Sequence, residues 1–204
     1  NLQQQASAAC IFGKSMLYLI FMLYLLIAMM IIGSALLWRI APDPLVRSLI
    51  WIERKRSRLN QDYQNAAGLR FKYLYNAPHP QQAANDPRPV LALLHGFGGD
   101  VTHWLRLATY LSEDYRLIIP DLPGFGDTPF PAPDTSGQPA PGNMEAQADR
   151  VMAFLDALGI ERFTIAGNSM GAYLAAMIAL HYPQRVQMLW MMNPGGVHQA
   201  QLTE

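Results

Sequence analysis

The sequence predicts an α/β protein in which helices flank a mostly parallel sheet, with one transmembrane helix before it. Three apolar runs, Val90–Leu94, 115–120 and 163–166, have the composition of buried strands, and each leads directly into a glycine-containing loop. A separate run, residues 15–38, contains no charged residue. Continuous apolar strands that alternate with helical segments are typical of a parallel sheet covered on both faces.

Residues 15–38 are long enough to span a bilayer as a helix. The apolar core of a signal peptide is normally shorter, about 7–15 residues, and precedes a small-x-small cleavage site, which residues 35–37 do not supply. A buried globular helix would carry polar residues on one face. We therefore expect a single-pass anchor, placed in the bacterial inner membrane, after a polar segment at residues 1–14.

The predicted juxtamembrane segment, residues 39–60, is basic. Its cations are Arg39, Arg47, Arg54, Lys55, Arg56 and Arg58, whereas Lys14 is the cation before the apolar run. Counting positive charges places the following domain in the cytoplasm. Residues 45–59 are expected either to lie on an anionic membrane surface as an amphipathic helix or to form a solvated linker helix.

Two elements are predicted from local signals in the remaining part, residues 61–204. An early strand is expected at residues 69–75, directly after Gly68. A helix is expected to begin after Asn143 as its N-cap and to stop at Gly159. The apolar residues of that helix would face the sheet. They are Val151, Leu155 and Leu158.

The third apolar run leads into the pentapeptide Gly167-Asn168-Ser169-Met170-Gly171, and helix-forming residues 172–180 follow. This strand–turn–helix order is the context of a G-x-S-x-G nucleophile elbow. In such a turn the serine has a strained backbone, and the flanking glycines let strand and helix approach closely. The pattern alone also arises by chance, in which case it marks an ordinary turn.

Two further glycine-rich loops precede the elbow. The first apolar run ends in His95-Gly96-Phe97-Gly98-Gly99, and the second ends in Asp-Leu-Pro-Gly-Phe-Gly-Asp-Thr at residues 121–128. The carboxyl ends of parallel strands meet at one edge of a sheet, so these loops would converge on one crevice. In this order the three motifs resemble the α/β-hydrolase superfamily, and within it the bacterial lipases and esterases with a G-N-S-M-G elbow.

The resemblance implies a serine hydrolase that cleaves carboxylic esters through an acyl-enzyme on Ser169. It assigns the backbone amides of Phe97 and Met170 to the oxyanion hole, and it gives His95 a packing role. It implies neither a cofactor nor a metal. A serine at position 169 excludes the relatives that cleave carbon–halogen bonds or epoxides with a carboxylate. C–C bond hydrolases, thioesterases and peptidases share the serine machinery and remain alternative activities. Lipases of this type are commonly exported, which opposes the count of positive charges. The side of the membrane on which the domain lies is therefore not determined.

The same resemblance implies a triad in the order serine, acid, histidine, with the last two on loops after later strands. One more apolar run, residues 186–192, follows the helix after the elbow, and no such strands come after it. We therefore expect a fragment that lacks the C-terminal part, with the triad acid and histidine beyond residue 204. None of His79, His103 and His181 follows a strand at the crevice, and His198 falls where this family begins its cap. A complete chain would instead indicate a catalytically inactive, membrane-bound interaction protein.

Composition limits the class of partner. Lysine plus arginine and aspartate plus glutamate both number 15, so no basic excess points to nucleic acid. Cys10 is the only cysteine of the sequence, which permits neither an internal disulfide nor a cysteine metal cluster. The expected partners are therefore an ester or lipid-like small molecule and the membrane, while the oligomeric state stays open.

Overall fold

The computed structural model describes residues 2–40, 42–76, 78–83, 85–133 and 136–195, in two compact units that divide between Leu49 and Ile50. The first unit contains helix α1 (Leu2–Ile40) and the start of α2 (Pro42–Arg56). Within α1, the stretch Tyr18–Leu36 is apolar and long enough to cross a membrane, and its side chains are exposed. Its length and composition fit a membrane anchor.

The second unit is built on a six-stranded sheet with the strand order β1-β2-β4-β3-β5-β6. The strands are β1 (Leu59–Ala66), β2 (Leu69–Asn76), β3 (Val90–Leu94), β4 (Arg116–Pro120), β5 (Phe163–Asn168) and β6 (Val186–Met192). Strand β2 pairs antiparallel with β1 and with β4, and the other pairs are parallel. Of the described strands β2 alone runs against the rest, which confirms the predicted mostly parallel sheet.

Side chains along β3 alternate between two apolar layers. The helices of these layers are α3 (Leu105–Leu111), α4 (Met144–Ala157) and α5 (Met170–His181). Val90, Ala92 and Leu94 pack in the layer that holds α4 and α5, whereas Leu91 and Leu93 pack in the layer that holds α3. Every β3 residue is buried, so the strand has no polar face and appears in the sequence as one continuous apolar run.

The local signals around α4 are confirmed. The Asn143 side chain accepts a hydrogen bond from the Ala146 amide at 3.1 Å, which satisfies one of the free donors at the start of the helix. Gly159 follows the end of the helix with φ +72°, a conformation that favours glycine. The three apolar residues predicted to face the sheet are buried. Cap chemistry acts within a few residues, which is why it could be predicted.

Strand β1 was not predicted from the sequence. Its residues are mostly polar and half-exposed, and it pairs with β2 through a two-residue hairpin in which Ala66 faces Leu69. Ala67 and Gly68 have φ +49° and +73°, and positive φ at both positions is the turn geometry that matches the twist of the strands. The segment predicted as juxtamembrane, residues 39–60, thus contains α2 and the start of β1.

Candidate active site

Ser169 lies at the sharp turn between β5 and α5. Its backbone has φ +54° and ψ −117°, which residues with a β-carbon rarely adopt. Its N–H donates to the Met192 carbonyl at 3.0 Å, and its carbonyl accepts from the Gly195 amide at 3.1 Å. The residue is exposed. The ends of two neighbouring strands therefore hold a strained serine at the surface.

Gly167 and Gly171 permit this turn because no side chain fits at either position. A β-carbon on Gly167 would lie 2.1 Å from the Gly171 carbonyl oxygen. A β-carbon on Gly171 would lie 2.3 Å from the carbonyl oxygen of Leu94 and 2.4 Å from that of His95. All of these neighbours are backbone atoms. The first turn of α5 thus packs directly against the end of β3, which brings the loop after β3 to the serine.

That loop carries the predicted oxyanion residue. A β-carbon on Gly96 would lie 3.2 Å from Ser169 Cβ, and Phe97 follows with a side chain that is 82% exposed. Met170 is the residue after the serine and begins α5. Among the described residues, the amides of Phe97 and Met170 donate no hydrogen bond to a protein group. The structure therefore brings all three predicted site residues together, with two amides available to a ligand oxygen.

His95 is buried and connects two of the glycine-rich loops. Its Nε2 lies 3.0 Å from the Leu122 amide, and its Nδ1 lies 2.8 Å from the Gly96 carbonyl oxygen. Because the amide can only donate, Nε2 must accept and Nδ1 must carry the proton. Burial lowers the pKa of His95 below its ordinary value of 6.5. The ring is therefore neutral near pH 7 and has the packing role that the resemblance predicts.

We expect the free energy of unfolding to fall as the pH drops below about 6.5. The pKa of His95 is lower in the folded state than in the unfolded state, so the unfolded state binds more protons in this window. Protonated Nε2 would also oppose the Leu122 N–H. Denaturant unfolding measured between about pH 5 and pH 7.5 tests this. His95→Asn removes the titrating group and should flatten the dependence, so equal slopes would contradict the prediction.

Asp121 holds the loop after β4 in place. Its Oδ1 accepts from the Val101 amide at 2.7 Å, its Oδ2 accepts from the Asp127 amide at 2.9 Å, and Lys72 Nζ lies 3.7 Å away. Burial raises the pKa of the carboxyl group, and the two amides and the ammonium oppose that rise. The role of Asp121 was not predicted from the sequence. The one indication of this role in the sequence was the position of an acidic residue directly after an apolar run.

An apolar cavity of about 290 Å³ includes the two residues that carry these amides in its lining. Phe97 and Met170 line it, and the rings of Phe97 and Phe125 meet edge to face at 5.4 Å. The loop before α4 and the first turns of α4 also line it, through Phe130, Met144 and Gln147. Gln147 contributes the one polar side chain among the described lining residues. Such a cavity can accept a hydrocarbon chain next to a polarised carbonyl group.

The histidines are placed as follows. His103 Nε2 lies 2.9 Å from Nδ2 of Asn168, the residue before the serine, and His79 bonds to side chains of β1 and β2. His198 lies outside the described residues. In the described ranges no hydrogen bond reaches Ser169 Oγ. The same ranges contain no group of three or more His, Cys, Asp or Glu that could hold a metal ion. The contact between His103 and Asn168 was not predicted, since it depends on how two distant segments meet.

Proteins of known family are similar to this chain. Residues 89–204, more than half of the chain, match the family model described as the alpha/beta hydrolase fold. Lipase 1 of Psychrobacter immobilis is 35% identical over 156 residues, which are 76% of this chain and 45% of that lipase. Monoacylglycerol lipase ABHD6 of Bos taurus is 27% identical over 81% of this chain and 45% of its own length. The chain thus spans about half the length of the curated relatives it matches.

A solved structure is similar as well. The crystal structure of a membrane phospholipase A, described as a novel bacterial virulence factor, is 33% identical and superposes with a TM-score of 0.67. The match covers 89% of this chain and 54% of the phospholipase. The observed sheet therefore has a fold that is also found in a solved phospholipase structure.

Proposed function

The chain belongs to the α/β-hydrolase family, and from that premise we propose that it carries the nucleophile and the oxyanion hole of a serine hydrolase that cleaves carboxylic esters. One observation carries the proposal. Ser169 lies exposed at a strained turn, next to Phe97 and Met170. Among the described residues the backbone amides of these two donate to no protein group, and both residues line an apolar cavity.

In the proposed mechanism Ser169 Oγ attacks the ester carbonyl carbon, the alcohol leaves, and water then releases the acid from the acyl-enzyme. Negative charge grows on the carbonyl oxygen during the attack, and the amides of Phe97 and Met170 donate to it. One such donor is typically worth about 3 kcal/mol of transition-state stabilisation. Because His95 and Asp121 fix the loops around these amides, the donors need little rearrangement during the reaction.

The reaction also needs a general base that takes the proton from Ser169. The family resemblance implies that a histidine oriented by an acidic residue supplies this base, and this stays a prediction. The chemistry of the cavity favours a lipid-like ester as substrate, because hydrocarbon gains about 25 cal/mol for each Å² that it buries. The names of the relatives, two lipases and a phospholipase, agree with that choice.

We further propose that α1 anchors the protein in a membrane as a single-pass helix. The stretch Tyr18–Leu36 supports this by its length and its exposed apolar side chains. The similar phospholipase is also described as a membrane protein. An anchored enzyme would meet a lipid-like ester at the surface of the bilayer that contains it.

Labelling with a fluorophosphonate tests the proposed function. In the complete gene product we expect one adduct, located on Ser169 by mass spectrometry of the proteolytic peptides, because the probe reacts with serines that are activated for acyl transfer. Heat-denatured protein is the matched control and should carry no adduct. An adduct on another serine would refute the assignment of the nucleophile. No adduct on native protein would favour the inactive interaction protein.

A further inference from the structure

The part of α2 that belongs to the second unit begins at Ile50, and one side of it packs against that unit. Ile50 is half-buried and contacts the apolar layer that holds α3. Ser57, directly after the helix, is buried, and its carbonyl oxygen accepts from Ser112 Oγ at 3.4 Å. Arg54 Nη1 donates to Gln61 Oε1 at 2.8 Å. These contacts determine which side of the helix faces away from the unit.

The side that faces away consists of Trp51, Ile52, Lys55 and Arg56, and we call it the basic face. All four side chains are exposed, and Trp51 is 55% exposed. Residues three and four apart are neighbours on a helix, which places Lys55 beside Trp51 and Ile52. Accordingly, Lys55 Nζ lies 5.8 Å from the centroid of the Trp51 ring. The basic face therefore exposes apolar area and positive charge together.

The positive charge of this region is not neutralised by the protein. Residues 50–58 contain four cations and one acid, Glu53. Among the described residues, Lys55, Arg56 and Arg58 form no ion pair with an aspartate or glutamate. A surplus of exposed positive charge attracts an anionic partner.

The apolar residues among the cations favour one anionic partner, the surface of a bilayer. Anionic headgroups attract the ammonium and guanidinium groups, and the boundary of the acyl chains can accept Ile52. Tryptophan is enriched at membrane–water interfaces, because its ring is apolar and its N–H still reaches a polar partner. A soluble polyanion would pair with the cations but would offer Ile52 no hydrocarbon.

The sequence also keeps the basic face close to a membrane. Trp51 follows the apolar stretch Tyr18–Leu36 by 15 residues, so even a fully extended chain would span at most about 50 Å between them. If that stretch spans a bilayer, the short connection gives the basic face a high effective concentration at the bilayer surface. A contact that is weak on its own is then sufficient.

Resting on the membrane anchor proposed above, we propose that the basic face of α2 docks on an anionic lipid surface, that of the bilayer which α1 spans. Lys55 and Arg56 bind the anionic headgroups, while Trp51 and Ile52 contact the boundary of the acyl chains. Each such cation raises the ratio of docked to undocked molecules by about 5-fold. This assigns α2 a membrane contact of its own, in place of a solvated linker helix.

Fluorescence quenching in nanodiscs that contain the complete gene product tests the proposal. Both sets of nanodiscs contain the same amount of phosphatidylcholine brominated on its acyl chains, which quenches a nearby tryptophan, and one set also contains phosphatidylglycerol. Subtracting the signal of Trp51→Phe isolates Trp51 from the other tryptophans. We expect quenching of Trp51 to be at least about 2-fold greater with phosphatidylglycerol. The excess should disappear in about 1 M salt, where the screening length falls to about 3 Å.

The double variant Lys55→Gln, Arg56→Gln supplies the second arm. Loss of two cations should lower the ratio of docked to undocked molecules by about 25-fold, so the excess quenching should vanish. Arg106→Gln, Arg162→Gln is the matched control, because it removes two cations that are exposed elsewhere on the same unit, and it should keep the excess. Both double variants should unfold at the same denaturant concentration as the wild type.

Equal quenching of Trp51 in the two sets of nanodiscs would overturn the proposal, and so would a control variant that loses as much quenching as the Lys55 and Arg56 variant. Protein that elutes apart from the nanodiscs in size-exclusion chromatography would refute the anchor and this proposal with it. Co-elution without excess quenching would refute the docking alone. None of these results depends on whether a fluorophosphonate labels Ser169, so failure of this inference is distinct from failure of the proposed ester hydrolysis.

Discussion

Ser169→Ala is expected to lower kcat/KM for carboxylic esters by about 10⁴-fold or more, because the proposed acyl-enzyme cannot form without Oγ. The two amides and the cavity would remain, so substrate binding should change little and the loss should appear in kcat. The measurement is steady-state hydrolysis of short and long p-nitrophenyl esters by the complete gene product. Residual hydrolysis within about 10-fold of the wild type would contradict the assignment of Ser169.

The loss should not come from unfolding. In the described residues Ser169 Oγ makes no hydrogen bond, so its removal leaves no buried partner unsatisfied. Alanine keeps the β-carbon at φ +54° and therefore keeps the strain of the turn. Ser169→Gly is a sharper control, since glycine adopts this conformation without a steric penalty. We expect Ser169→Gly to be as inactive as the alanine variant and at least as stable as the wild type.

The central strands could be predicted because each is buried on both faces. All five residues of β3 are buried, so a run of apolar letters was sufficient to place the strand. Strand β1 is different. It lies at the edge of the sheet, and its alternation of buried and exposed positions is weak. Its position follows from pairing with β2, and the turn residues Ala67 and Gly68 were the available sequence signal.

The motifs located the candidate site but not the contacts that support it. Short spacings in the sequence indicate the elbow and the oxyanion loop, because each is built within five residues. Asp121 binds backbone amides of Val101 and Asp127, and such a contact across loops has no spacing that a sequence reveals.

Gly171→Ala is expected to lower the free energy of unfolding by about 4 kcal/mol or more, or to prevent folding. The added β-carbon would lie 2.3 Å from the Leu94 carbonyl oxygen and 2.4 Å from the His95 carbonyl oxygen. The end of β3 cannot retreat without breaking its pairing with β5, whose Gly167 faces Leu94 in the sheet. Denaturant unfolding followed by tryptophan fluorescence measures the change. Any folded remainder should also react slowly with a fluorophosphonate, because the shift displaces the loop that carries Phe97.

Gly159→Ala is the matched control. It distinguishes a glycine that is required by its backbone conformation from one that is required because no side chain fits. Gly159 has φ +72°, and a methyl group there would meet no heavy atom within 4 Å beyond its chain neighbours, so alanine suffers backbone strain alone, about 1 kcal/mol. Gly171 is not among the described residues with positive φ, and its requirement is close approach to β3. If glycine in the elbow served only backbone freedom, Gly159→Ala would be the more damaging change. We expect the reverse order, since two backbone carbonyl groups occupy the space that the Gly171→Ala methyl group needs.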